Sequence, residues 1–169
     1  MDFLSKNEKI LENEFTNQGF IIREVADKNA LNKIQKFVFD MLSKKGGKSL
    51  DRAHEVIDIN ELNNFRLEVI NKINAQSWLR EAYYHVAKPY LDLLVGNELA
   101  MQSRVNLSIQ LPEDDSSLLP VHADTWSGDS PFEVVVWLPL VDCFSTKSMY
   151  LLPPNAADNL SNNFKLHAQ

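Results

Sequence analysis

The sequence predicts an α+β protein, with helices gathered at the front and packed on a β-sandwich or barrel. Two observations carry this prediction. Apolar residues recur at three- and four-residue spacing up to about residue 97. From about residue 99 that periodicity gives way to short β-branched, aromatic and alternating runs broken by Pro, Asp and Ser. A length of 169 residues is that of a single domain, 1–169, able to bury a core without disulfide staples. Within it, residues 1–97 read as a mainly helical lead-in and 98–169 as the β-rich part.

Residues 4–18 place Leu4, Leu11 and Phe15 on one helical stripe, and Gly19 stands where such a helix stops. Phe20–Ile22 reads as a short strand. Asp27 can cap a second helix in which Leu31, Ile34, Val38, Met41 and Leu42 recur at helical steps, ended by Gly46 and Gly47. Asp58 to Glu61 has the spacing of a capping box, with Asp in the position usually held by Ser or Thr, and Leu62, Phe65, Val69 and Ile73 form the apolar face behind it. Ser77 can cap a further helical piece carrying Trp78, Leu79, Tyr83 and Val86, interrupted or restarted at Pro89 and finished near Gly96. His54 and His85 lie in this half without a partner motif, so they read as surface or internally satisfied side chains, and Trp78, Tyr83 and Tyr84 as core or rim.

Composition excludes several classes. Seventeen Lys and Arg against 23 Asp and Glu leave a net charge of -6, against a basic nucleic-acid footprint. No apolar run reaches the roughly 18 residues of a membrane helix, and the first residues mix charged and apolar groups instead of forming a signal-peptide core. A cytoplasmic protein without nucleic-acid or membrane partners is therefore expected. Cys143 is the single cysteine, which excludes an internal disulfide and a cysteine-rich zinc site.

In the second half, Arg104–Leu111 alternates polar and apolar residues, as a strand with two unlike faces does. Asn106, Ser108 and Gln110 share one of these faces, where they could hydrogen-bond a co-substrate or simply meet solvent. Residues 112–120 read as a loop. Val134–Leu138 is a nearly continuous apolar run of the kind buried on both faces of a sheet, and Ser148–Leu152 is another strand candidate. Between the strand candidates 104–111 and 134–138 lies Val121-His122-Ala123-Asp124-Thr125-Trp126. In an extended segment, residues two apart point the same way, so His122 and Asp124 can converge while Ala123 turns away. An imidazole and a carboxylate so placed suit a metal. With a third ligand they would make the two-His-one-carboxylate face of Fe(II), leaving positions open for co-substrate and O2.

The stretch VHADTWSGDSPFEVVVWLPLVDCFSTKSMYLLPP resembles the phytanoyl-CoA dioxygenase-like branch of the Fe(II)/2-oxoglutarate oxygenases, in particular relatives from bacterial surface-carbohydrate clusters. The matching elements are His122 and Asp124, Trp137 in VVVWLPL, and Tyr150-Leu151-Leu152-Pro153-Pro154. The opening EFTNQGFIIREVADKNALNKIQKF also looks like the start of that family. The resemblance covers most of the chain and is most specific over 104–154. It implies a double-stranded β-helix (jelly-roll or cupin-like barrel), of which 98–169 would be the N-terminal part. It further implies Fe(II) held by His122 and Asp124, and 2-oxoglutarate beside Trp137, with Asn106 and Gln110 of the strand face as candidate hydrogen-bond partners for co-substrate or substrate. Trp137 could equally be a plain core Trp. Trp126 and Asp129, in the loop after the motif, fall where the substrate would be touched. The implied reaction is hydroxylation of a small molecule, a carbohydrate or lipid-linked intermediate. Halogenase relatives lack the carboxylate that Asp124 supplies.

Two family elements are missing. After Asp124 the sole histidine is His167, close to the C-terminus, and no Arg or Lys follows it to pair with the far carboxylate of 2-oxoglutarate. Arg104 could replace that anchor only by pointing inward, whereas a solvated strand end is its ordinary place. A complete barrel has about eight strands, and the pattern between Leu99 and Leu166 supplies about half of them. The expectation is therefore an incomplete barrel whose third ligand is absent or is His167, completed by a missing C-terminal polypeptide or a second copy. The competing readings are an inactive fragment or non-catalytic binding module of the same fold, and a cupin-like isomerase using His122 as a base.

Overall fold

A computed structural model describes residues 3–115 and 118–167, without the side chains of Ser161 and of 164–167. The described residues form six α-helices, α1 (Lys6–Gln18), α2 (Lys28–Ser43), α3 (Leu62–Asn74), α4 (Leu79–His85), α5 (Lys88–Leu94) and α6 (Pro154–His167), together with three 3₁₀ turns at Leu50–Glu55, Asp124–Ser127 and Ser145–Lys147. Half of the chain is helical and the described residues contain no strand and no sheet. The α+β barrel expected from the sequence is thus overturned. No described helix is long and apolar enough to cross a membrane.

The chain divides into two compact units. The first comprises 1–24, 89–97 and 143–169. Its α1 opens on a capping box: the Ser5 hydroxyl accepts from the Glu8 N–H at 3.3 Å, and the Glu8 carboxylate accepts from the Ser5 N–H at 2.6 Å. The helix ends as expected at Gly19, whose φ of 76° lets its N–H return to the Phe15 carbonyl. The Arg23 guanidinium grips both oxygens of Glu14, at 3.0 and 2.6 Å, and holds that carboxyl below its usual range. Phe20–Ile22, expected as a strand, is irregular here, with Ile22 largely exposed.

The Asn-rich segment 155–163, whose polar residues read as a loop, is the body of α6. Pro154 suits a first helical position, and the Pro153 carbonyl accepts from the N–H groups of Ala156 and Ala157, each at 2.9 Å. Each Asn and Ser here costs a helix at most about 0.7 kcal/mol relative to Ala, far less than the roughly 3 kcal/mol of an interior Pro, so the segment tolerates the helix. Ser148–Leu152 forms no strand either, and Tyr150 is almost fully exposed.

The second unit comprises 25–88 and 98–142 and contains a helical core. Asp27 caps α2 by accepting from the N–H groups of Asn29 and Ala30 at 2.9 and 3.1 Å. Ile34, Val38, Met41 and Leu42 of α2 pack with Leu62, Phe65, Val69 and Ile73 of α3 and with Leu79, Ala82 and Val86. After α2 the chain turns tightly. A Cβ on Gly47 would stand 2.4 Å from Leu42 Cγ, so only glycine fits there. Two expected caps are absent: Asp58 accepts from Asn60 instead of α3, and α4 begins after Trp78 without a side-chain cap from Ser77. In the first unit, Pro89 sits in the first turn of α5, the restart that the sequence suggested.

Residues 104–111 and 133–139 run without helix or ladder. Their alternation is real, but it is read by helices. Val105, Leu107, Ile109, Leu111, Leu138 and Leu140 pack half-buried on the helical core, while Asn106, Ser108 and Gln110 face outward. The run 134–138 is not buried on both faces, since Val135 and Trp137 are 62% and 48% exposed. A period-two pattern sets which side chains face a neighbour, not that the neighbour is a strand. Here the side chains of α2, α3 and α4 serve as the neighbour. The Asn74 amide donates to the Val105 carbonyl at 2.8 Å and accepts from the Val105 N–H at 2.7 Å, copying a ladder pair with a side chain. Gln35 Nε2 donates to the Leu140 carbonyl at 2.9 Å, and the Tyr83 hydroxyl donates to the Val136 carbonyl.

Candidate metal half-site at His122 and Asp124

His122 lies in irregular chain and Asp124 opens the 3₁₀ turn Asp124–Ser127, so the H-x-D motif stands on a loop, not on the barrel strand that the family resemblance implied. Ala123 between them is extended, with φ -126° and ψ 139°, which sends the two side chains the same way. His122 Nε2 is 3.8 Å from Asp124 Oδ1, and both side chains are about half exposed. His122 Nδ1 is 2.7 Å from the Pro120 carbonyl. A carbonyl only accepts, so Nδ1 carries the hydrogen and Nε2 of the neutral ring keeps its lone pair toward Asp124. Metal-binding histidines are held by this same kind of outer hydrogen bond. The turn is closed by the Trp126 N–H to Ala123 carbonyl bond at 2.8 Å and by Gly128 at φ 99°, a value that favours glycine.

These two donors suit a divalent cation. Two ligands about 2.1 Å from a metal and at right angles to each other stand about 3 Å apart, so the pair would close by less than an ångström. They do not complete a centre. Among the described residues no group of three or more His, Cys, Asp and Glu could hold a metal ion. His167 ends α6, and its side chain lies outside the described residues. Arg104 is exposed and donates to Asn71 Oδ1 at 2.7 Å, so it is occupied on α3 instead of pointing inward as a carboxylate anchor.

The other expected site residues fall on three separate stretches. Trp126, in the 3₁₀ turn, is 54% exposed, and Asp129 follows Gly128 with its N–H on the Asp124 carbonyl at 3.3 Å. Asp129 is therefore tied to the motif through backbone. Trp137 stands on the outward face of 133–139, and Asn106 and Gln110 on that of 104–111. His54 is exposed in a 3₁₀ turn, and His85 Nδ1 is 4.0 Å from Asp27 Oδ2, far from any second ligand. The residue that sequence reasoning missed is Pro120, whose carbonyl orients the imidazole. No sequence pattern signals it, because the bond is to a backbone carbonyl that any residue at 120 would supply. A cleft of about 410 Å³ lies elsewhere, lined by Phe37, Asp40, Met41, Lys44, Lys72, Ala75 and Gln76, none of them a candidate site residue.

Set against known proteins, the chain matches no family model, no curated protein and no solved structure.

Proposed function

We propose that His122 and Asp124 are two of the ligands of an Fe(II)/2-oxoglutarate-dependent hydroxylase acting on a small molecule, with a carbohydrate or lipid-linked intermediate as the substrate class. The observation that carries this reading is the orientation of His122: its Nδ1–H is spent on the Pro120 carbonyl, and Nε2 is left facing Asp124 Oδ1 at 3.8 Å. The resemblance of residues 104–154 supplies the choice of iron and 2-oxoglutarate among the divalent-metal chemistries. When bound, the iron with its co-substrate and O2 provides the oxidising power for the C–H bond. The chain's own part is narrower. Pro120 fixes the tautomer, the short 3₁₀ turn holds the carboxylate, and Trp126 in that turn and Asp129, tied to it by backbone, are the candidates for touching substrate.

Two ligands make a weak site, so a third donor is needed from a second polypeptide. The test is anaerobic titration of the full chain with Fe(II), alone and with 2-oxoglutarate, followed by calorimetry and by the visible charge-transfer band of the chelate. Saturable uptake that disappears in His122→Ala and in Asp124→Ala, with helical circular dichroism intact, supports the reading. Absence of uptake, or uptake that survives both substitutions, sinks it.

A further inference from the structure

We propose that the outward side of residues 118–137 docks an extended, basic segment of another polypeptide, which adds as a strand along the open edge at Val135 and Trp137. Three observations converge on this. The first is the backbone. In an extended chain, the N–H and C=O groups of alternate residues face opposite edges. One edge of this segment is occupied, since Tyr83 and Gln35 donate to the carbonyls of Val136 and Leu140. On the other edge, Val135 and Trp137 make no hydrogen bond with any described residue. Pro139, which has no N–H, and Glu133, whose N–H goes to the Ser130 carbonyl at 3.0 Å, limit that edge to a short stretch.

The second observation is apolar exposure. Leu119, Val121, Trp126, Phe132, Val135 and Trp137 are each about half exposed or more within twenty residues. This is the side-chain content of a covered surface. The third is charge. Residues 118–137 hold three acids, Asp124, Asp129 and Glu133, and no Lys or Arg. That single sign chooses the occupant. A two-fold dimer through this face would set two acidic surfaces against each other, and an anionic membrane would repel it. A strand whose side chains alternate apolar with Lys or Arg satisfies backbone, apolar patch and charge together.

The inference does not rest on the metal reading, and the test is run in EDTA so that metal plays no part. The full chain is titrated with an eight-residue Val-Lys alternating peptide, and with a Val-Glu alternating peptide as control, while tryptophan emission is followed. The Val-Lys peptide is expected to give a saturable blue shift whose affinity falls about tenfold or more between low and high salt, with no response to Val-Glu. Glu133→Lys should weaken binding. Val135→Pro, which deletes an open-edge N–H at an exposed position, should abolish it with helical circular dichroism unchanged. Equal response to both peptides, salt-indifferent binding, or undiminished binding by both variants overturns the proposal. Sedimentation showing that the emission change follows self-association of the chain overturns it too, in favour of a second copy as the occupant.

Discussion

Residues 25–88 and residues 98–142 belong to one compact unit and hold comparable apolar content, yet they contribute to it very differently. The helical stretch supplies every fully buried apolar side chain of the unit, from Ala30 to Val86, whereas in the extended stretch the one buried residue described is Asp114. The cause is where each conformation sends its backbone. A helix closes its hydrogen bonds internally and brings a finished apolar stripe to the core. An extended chain must find partners for its N–H and C=O groups. Here it finds a few of them in helix side chains and leaves an outward face bare. Helices therefore set the stability of the unit, and the extended segments ride on them.

The sharpest way to break that contrast is to truncate one large apolar residue in each stretch. Leu42 is 1% exposed and touches the chain turn at Gly47, so Leu42→Ala should cost about 2–5 kcal/mol by lost burial and the cavity left behind. Phe132, 88% exposed, should change stability by less than about 0.5 kcal/mol when replaced by Ala. Urea unfolding of both variants decides the matter, and equal losses would mean that the extended stretch is part of the core after all.

A middle-sized effect is expected at the join between the two stretches. Asn74→Ala removes both bonds that clamp Val105 to α3 and leaves partly buried backbone groups without partners, which should cost about 1–3 kcal/mol. The specific signature is faster hydrogen exchange at the Val105 amide with the α2 and α3 amides unchanged. Exchange rising evenly across the unit would show that Asn74 acts on the helices and not on the clamp.

What the sequence made legible follows the same division. The apolar stripes at Ile34, Val38, Met41 and Leu42 and at Leu62, Phe65, Val69 and Ile73 were readable because a helix's pattern is local and carries its own hydrogen bonding. The alternation of Val105, Leu107, Ile109 and Leu111 correctly named the inward face but not the neighbour, since period two says nothing about what lies opposite. Alternation proved a better guide than apolar density at Val134–Leu138, where Val135 and Trp137 turn outward. At the candidate site, the convergence of His122 and Asp124 followed from their spacing. The Pro120 bond did not, because a side chain reaching its own backbone two residues away leaves no periodic trace.

The smallest effect tests the same join by pH. Burial pushes the Tyr83 phenol above its ordinary value near 10, and its hydroxyl donates to the Val136 carbonyl. A group whose folded pKa lies above its unfolded one contributes stability that is complete below about pH 10 and is lost as pH rises through the folded value. Tyr83→Phe should therefore do two things. At neutral pH it loses one hydrogen bond, about 0.5–1.5 kcal/mol. Above pH 10 its stability should fall less steeply than that of the parent, because no buried phenol remains to ionise. Urea midpoints measured from pH 7 to 11 check both arms. Parallel curves would mean that Tyr83 ionises as readily folded as unfolded, and no loss at pH 7 would mean that the hold of α4 on residues 133–139 is made by apolar packing alone.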